Sequence, residues 1–400
     1  MIIVAFPARL KTIVFVLVLA IVAAGCANTR SGVSWSALDT VTINGTTAII
    51  VSYEKQIDLV SPALPISVVT LLDAEGNPIP DGSGGLQTWV IDGSDYDDAQ
   101  FFTTPLLIED DGASRLMFPT YNNRILEFDL QTATPITTTG IELESGVIAT
   151  PLLTDDMLYV PYRNQNLVAL DTSTYTEQWR LETDGGVWSS PVLIDDTLYV
   201  TSIDHNLYAV NAATGNILWT ADLQGATAAS PLYYDEYLYV GSYSHKMFKI
   251  DLNGQIVAEY EGENWIWQTP VIVDDILYYA DLSGTVFALN SGDLSEIWSN
   301  KVADSGRRRG IRPAPLVTEE FVIVASRNGS VYWLNRSTGE LIVDRQIEGE
   351  PEILSDLLLI EAGTVDRVNV PLIAVATLEN DSLVVFFQLD NFTQYGVYER

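Results

Sequence analysis

Between residues 150 and 260 one pattern of apolar and polar positions is written three times. In the middle copy Ser190-Pro191 leads into Val192-Leu193-Ile194, and Leu198-Tyr199-Val200 and Leu207-Tyr208-Ala209-Val210 follow, closed by Ile217-Leu218-Trp219. Each apolar run stops at turn residues: Asp195-Asp196, then Asp204-His205-Asn206, then Ala213-Thr214-Gly215. Short runs rich in Val, Ile, Leu and Tyr, cut by Asp, Asn and Gly, predict four strands joined by tight turns in an antiparallel meander. The same pattern runs from Thr150-Pro151 to Trp179 and from Ser230-Pro231 to Tyr260. A period near 40 residues built from four strands predicts the blades of a β-propeller.

The units can be counted from the small residue and proline ahead of the first strand: Thr104-Pro105, Thr150-Pro151, Ser190-Pro191, Ser230-Pro231, Thr269-Pro270 and Ala314-Pro315. Proline at the first position of a strand removes no ladder hydrogen bond. An acidic pair precedes each second strand from Asp155-Asp156 onwards: Asp195-Asp196, Asp235-Glu236, Asp274-Asp275 and Glu319-Glu320. A pair repeated once per unit reads as hairpin-turn chemistry, not as an acid–base or metal pair. Two less regular stretches flank these units, one over residues 35–97 and one from Leu357 through Phe387. The expectation is an all-β chain forming a single β-propeller of eight four-stranded blades over residues 35–400. Seven is the alternative if one flanking stretch is not a full blade. Closing the ring removes the sheet edges that would otherwise pair between molecules.

Ahead of the repeats, Arg9 and Lys11 precede an apolar run over residues 13–24. As a helix the run reaches about 18 Å, short of the ~30 Å hydrocarbon core, so residues 1–25 read as a signal peptide. The run ends in Ala23-Ala24-Gly25-Cys26, which resembles a bacterial lipobox and implies lipidation of Cys26. Residues 26–34 then form a polar tether to a bilayer. The implied location is extracytoplasmic. In a bacterium with two membranes this is the outer membrane, facing the periplasm; otherwise it is the outer face of the cell membrane.

Charge and cysteine content narrow the chemistry. The 400 residues carry a formal net charge of −33, which repels phosphate backbones and argues against nucleic acid. A single cysteine permits neither an internal disulfide nor a cysteine metal cluster. The two histidines, His205 and His245, occupy the same turn of neighbouring copies. A shared metal and two water-facing turn residues are the alternatives, and the repeat favours the second, so no metal site is expected. No Gly-rich phosphate loop, no Ser-His-Asp order and no histidine-pair motif is present.

Ala169 precedes Trp179, Ala209 precedes Trp219 and Ala288 precedes Trp298 by the same interval. A small residue and a large ring at fixed spacing predict packing of one blade's outer strand over its neighbour. Tyr260 lies near this place in the copy from Ser230, and Val343 in the copy from Ala314. The Ala-x-Asp/Asn-x-x-Thr-Gly-x-x-x-Trp pattern, with its Leu-Tyr strands, resembles the pyrroloquinoline-quinone (PQQ) type of propeller repeat over roughly residues 100–345. That resemblance implies the fold but not one function. Dehydrogenases with this repeat hold the quinone beside an adjacent Cys-Cys disulfide. They also use calcium with Glu, Asn and Asp ligands and a catalytic Asp. This chain has one cysteine and no matching local motif, and Asp204, Asp251 and Asp281 fall at turns or strand ends. Neither PQQ nor calcium is therefore expected. The overall layout is similar to the lipoprotein propellers of the outer-membrane β-barrel assembly machine. It implies a non-enzymatic protein-interaction scaffold in envelope assembly. A quinone- and calcium-dependent dehydrogenase and a ligand-sensing propeller are the alternatives.

The candidate site comes from residues that do not repeat. Three positions before each proline stand Phe102, Ile148, Trp188, Ala228, Trp267 and Arg312, in the loops that enter the inner strands. Trp265 and the cluster Arg307, Arg308 and Arg309 belong to the same class of loop. Exposed tryptophan beside arginine is the composition of interface hot spots. The alternative is that the rings plug the axis and the arginines pair with nearby acids. The expectation is a monomer that binds a partner protein at this mouth.

Overall fold

The structure is a computed structural model. It describes residues 106–110, 113–129, 135–136, 140–303, 310–362, 370–377 and 382–399. Before these it describes seven strands: Ile2–Ala5, Ile13–Val16, Ala37–Ile43, Thr46–Ser52, Glu54–Ile57, Leu64–Thr70 and Thr88–Asp92. Cys26, the tether and Arg307, Arg308 and Arg309 lie outside the described residues. Two compact units are formed, one by Ala149–Glu352 and the other by Met1–Ile148 with Ile353–Arg400.

All described regular structure is β. Seven four-stranded sheets are present among the described residues, so the expected eight blades become seven. Residues 35–97 carry one small-residue-and-proline pair, Ser61-Pro62, but no acidic pair of the kind that precedes the second strand in the units from Asp155-Asp156 onwards. They form a three-stranded sheet, Glu54–Ile57, Leu64–Thr70 and Thr88–Asp92, apart from the hairpin Ala37–Ile43 with Thr46–Ser52. The unit with both chain ends also holds the first four-stranded sheet, Leu106–Asp110, Ala113–Pro119, Arg124–Asp129 and Ile141–Glu142, and the seventh, Leu358–Ile360, Leu372–Ala376, Ser382–Gln388 and Gln394–Glu399.

The unit Ala149–Glu352 holds the second to sixth sheets, each a meander in chain order. The third runs through Val192–Ile194, Thr197–Thr201, Asn206–Asn211 and Ile217–Asp222. Its second and third strands are buried almost throughout, while the outer strand is largely exposed. Burial on both faces explains why those inner runs are continuously apolar. Tyr159, Trp179, Leu198 and Val200 share one apolar cluster, and Tyr199, Leu207, Leu238 and Phe248 share the next, so each sheet packs on its neighbour. The acidic turns of the third, fourth and fifth sheets adopt left-handed backbone: φ is 50° at Asp195, 49° at Asp235 and 51° at Asp274. This matches the twist of a tight hairpin, which Asp and Asn tolerate better than other side chains.

Tryptophans dock these sheets. Trp179 Nε1 donates to the Ala212 carbonyl at 2.9 Å, Trp219 Nε1 to that of Leu252 at 2.9 Å and Trp298 Nε1 to that of Arg336 at 3.0 Å. Each ring also lies on a turn glycine of the next sheet. A Cβ on Gly215 would approach the Trp179 ring to 2.6 Å, one on Gly254 the Trp219 ring to 2.7 Å and one on Gly339 the Trp298 ring to 2.4 Å. The alanines play another part: Ala169, Ala209 and Ala288 are the cross-strand partners of Trp179, Trp219 and Trp298 within their own sheets.

The fourth sheet solves the same problem with other residues. Lys249 stands at the alanine position and Ala258 at the tryptophan position. The buried Lys249 ammonium lies 3.9 Å from the centre of the Tyr237 ring and donates to Ser291 and Gly292 carbonyls at 3.0 and 2.8 Å. Ser291 follows its strand as Ala212, Leu252 and Arg336 follow theirs, so the donor has moved strands while the acceptor has stayed. With no ring above it, the glycine of that turn is replaced by Leu294, which packs in the same cluster as Ala258. The sixth sheet pairs Trp333 with Val343. Each pair sets one large side chain against one small one, as close packing requires.

A β-bulge interrupts every outer strand of this unit, opposite Ala209 and Val210 in the third sheet for example. The extra residue points outward: Leu218, Val257, Ile297 and Ile342 are all exposed. Bulges spoil the template that a free edge would offer another strand.

Candidate partner-binding mouth

At one end of each sheet, the turn between second and third strands meets the loop that enters the sheet. The turn amides of Ile203, Tyr243, Leu282 and Arg327 donate to the carbonyls of Gly186, Ala226, Trp265 and Gly310, at 2.9–3.2 Å. The same loops bind the preceding sheet, through Val187 N to Tyr162 O, Ile266 N to Ser242 O and Ile311 N to Asp281 O. Three of these four entering loops are thus fixed from both sides, which sets the residue three before the proline beside the turn of the preceding sheet.

What stands there differs from unit to unit. Trp188 is half-buried and its Nε1 donates to the Arg163 carbonyl at 3.2 Å. A Cβ on Gly186 would lie 2.4 Å from both that carbonyl and Nε1, so glycine is what admits the indole. Ala228 puts only a methyl group at the next place. Trp267 then stacks on Tyr243, with ring centres 5.1 Å apart and planes 22° apart. Trp265 also stacks on Tyr243, at 5.0 Å and 12°. The Arg312 guanidinium lies 4.5 Å from the centre of the Trp267 ring. Trp265, Tyr243, Trp267 and Arg312 therefore form one run of contacts, buried at Trp267 (3% exposed) and open at Trp265 (45%). Trp188 is held separately, by the Arg163 carbonyl.

The family model described as "Outer membrane protein assembly factor BamB" matches residues 109–343, which include Trp188, Tyr243, Trp265, Trp267 and Arg312 and all of the five sheets but the last residues of the sixth. The chain belongs to that family. The BamB proteins of Escherichia coli (strain K12) and Salmonella typhimurium are each 35% identical to it over 86 residues, 20% of this chain. The match spans only 22% of those relatives' own length. The crystal structure of BamB from Moraxella catarrhalis superposes with a TM-score of 0.59 at 18% identity, covering 84% of this chain and 98% of that one. At that identity the likeness shows the fold, a PQQ-type repeat propeller.

Within the BamB fold, electrostatics at this mouth follow from burial. Desolvation pulls the Arg312 guanidinium down to about 10, helped by the Arg327 guanidinium and opposed by Glu352. Arg327 itself is engaged by Glu352, with Nε donating to Oε1 at 2.6 Å. Burial raises the Tyr243 hydroxyl. The Tyr243 hydroxyl and Trp267 Nε1 are buried without a hydrogen-bond partner among the described residues.

Two contributors were not legible as site residues. Tyr243 takes the turn position that holds Ile203, Leu282 and Arg327 elsewhere, and aligning the turns would have singled it out. Asp281 is fully buried, and its carboxylate accepts from the amides of Glu263, Asn264 and Ser283 at 3.1, 2.8 and 2.8 Å. It thereby positions the loop bearing Trp265. Asp204 accepts from Asp184 N and the Tyr208 hydroxyl, and Asp251 from the amides of Asn253 and Gln255. These carboxylates hold their own turns and, for Asp204 and Asp281, the loop that follows the neighbouring sheet's outer strand. His205 and His245 sit in left-handed turns, with φ of 79° and 70°. Among the described residues no group of three or more His, Cys, Asp or Glu is placed to hold a metal.

Proposed function

We propose that this chain is a non-enzymatic assembly factor of the cell envelope, acting in outer-membrane protein assembly, and that it binds a segment of a partner protein at the mouth carrying Trp188, Trp265, Trp267 and Arg312. The observation that carries the reading is the run Trp265–Tyr243–Trp267–Arg312, an aromatic and guanidinium surface with a buried base and an open end. Rigid aromatics held beside arginine supply contact area at little cost in conformational entropy. Family membership supports the setting, since the relatives are named as outer membrane protein assembly factors. The proposal includes lipidation at Cys26, an extracytoplasmic location, a monomeric state and no bound quinone or calcium.

The test is affinity capture from native membranes with the full-length protein and with Trp265→Ala/Trp267→Ala. The reading predicts co-purifying envelope proteins for the parent and their loss for the variant, whose circular dichroism should still show a folded β protein although removing the buried Trp267 ring lowers its unfolding midpoint. Equal capture by both would sink it. Replacing Cys26 by Ala should release the protein from the membrane fraction, and retention there would refute the lipid anchor.

A further inference from the structure

We infer that the open face of Trp265 receives an arginine guanidinium of the bound segment, so that the partner presents a basic stretch to this mouth. The inference rests on the mouth being a protein-binding site, as proposed above. Three observations lead to it.

The first is the chemistry that the molecule already uses. Arg312 lies over the Trp267 ring at 4.5 Å, and the Lys249 ammonium lies 3.9 Å from the Tyr237 ring centre. Aromatic faces here take cations, because a ring quadrupole is negative on its face and tryptophan's is the strongest. The second is preorganisation. Trp265 N donates to Asn264 Oδ1 at 2.8 Å, and Trp265 O accepts from Leu282 N at 3.0 Å. The buried Asp281 carboxylate holds the amide of Asn264, and Tyr243 holds the indole. An indole 45% exposed is therefore held from backbone to ring before any partner arrives.

The third is charge. The outer strands beside this mouth end in Glu182, Asp222 and Glu261, and the loops carry Asp184 and Glu263, all exposed; of the mouth's arginines Arg163 is also exposed, while Arg312 is drawn against Trp267 and Arg327 against Glu352. Lys246 and Lys301 face Glu259 and Glu263 at 2.8 and 3.4 Å. An acidic rim on a chain of net charge −33 attracts a basic segment and repels an acidic one.

The test titrates full-length protein in detergent with a synthetic Gly-Ser peptide carrying two arginines. It is compared with the same peptide carrying citrulline, which keeps the shape and loses the charge, and with one carrying glutamate. The arginine peptide should bind about two- to thirty-fold more tightly than the citrulline peptide, the range of one cation–π contact. Trp265→Ala should remove most of that ratio, Trp265→Phe should keep part of it, and Leu218→Ser on the outer edge should leave it unchanged. A ratio that survives Trp265→Ala would mean that the acidic rim acts alone, and would overturn the inference. So would equal binding of the arginine and citrulline peptides, tighter binding of the glutamate peptide, or a ratio that appears only after Arg307, Arg308 and Arg309 are replaced by Gln. If partner capture still depends on Trp265 and Trp267 while the arginine ratio is absent, the inference fails and the proposed function stands. If neither depends on them, both fail.

Discussion

The two ends of the sheets in the unit Ala149–Glu352 follow opposite rules. At the end with the acidic turns, the second to fifth sheets reach the same outcome. A side chain donates to the carbonyl that follows the third strand, whether the donor is Trp179, Trp219, Trp298 or the substitute Lys249. At the other end the scaffold hydrogen bonds repeat while the side chains do not. Equivalent places hold Trp188, Ala228, Trp267 and Arg312, and the facing turns hold Arg163, Ile203, Tyr243, Leu282 and Arg327. A repeat that keeps its backbone lacing and varies its side chains offers a surface for recognition. One that varies its residues and keeps the contact is maintaining a fold.

Breaking the conserved contact should have the largest effect on stability. Trp179→Ala removes a ring that is 9% exposed along with its hydrogen bond. It should lower the unfolding free energy by about 3–5 kcal/mol in urea titrations. A loss below about 1 kcal/mol would mean that the ring does not dock the sheets.

The Lys249 exception sharpens the comparison next. Lys249→Ala should cost about 1–3 kcal/mol, because it opens a buried space and leaves carbonyls short of a donor. The triple change Lys249→Ala, Ala258→Trp and Leu294→Gly rebuilds the arrangement of the third sheet and should recover most of that loss. It also relieves the left-handed backbone at Leu294, where φ is 61°. Additive destabilisation would show that the two arrangements are not equivalent.

Alkaline pH acts through the same buried ends. Burial pushes Tyr239 up to about 12 and raises Tyr208, Tyr243 and Tyr279. The unfolded chain then ionises these phenols first, near 10. The stability they contribute is complete below pH 10 and drains away as pH rises from there through 12. Unfolding midpoints that stay flat from pH 9 to 11.5 would contradict this.

The smallest effect on stability is expected at the open end of the mouth. Trp265→Ala removes a half-exposed ring and one stack, so it should cost on the order of 1 kcal/mol. A loss as large as that for Trp179→Ala would make Trp265 a structural residue.

Much of the fold was legible from the chain, because proline leads and acidic turns punctuate each unit. The eighth blade was an overcount: residues 35–97 carry Ser61-Pro62 and enough apolar runs for strands but no acidic pair, and the strands they form divide between a hairpin and a three-stranded sheet. The partner of each docking ring was hidden as well. Gly215, Gly254 and Gly339 read as turn residues, whereas their second role, admitting a neighbour's indole, exists only between sheets. In the copy from Ser230, Tyr260 lies near the tryptophan place in sequence, but the bulge sets Ala258 opposite Lys249. Of the mouth, the tryptophans and Arg312 were visible as departures from the repeat. Tyr243 was not, since the residue that joins Trp265 to Trp267 comes from a different turn.

The account stands or falls on which end of the sheets meets other proteins. Photo-crosslinkers placed singly at positions 265 and 188, and at positions 195 and 274 in the acidic turns, can be activated in living cells producing the full-length chain. The account predicts protein adducts from 265 and 188 and none above background from 195 and 274. Adducts confined to the acidic turns, or spread evenly over both ends, would contradict it.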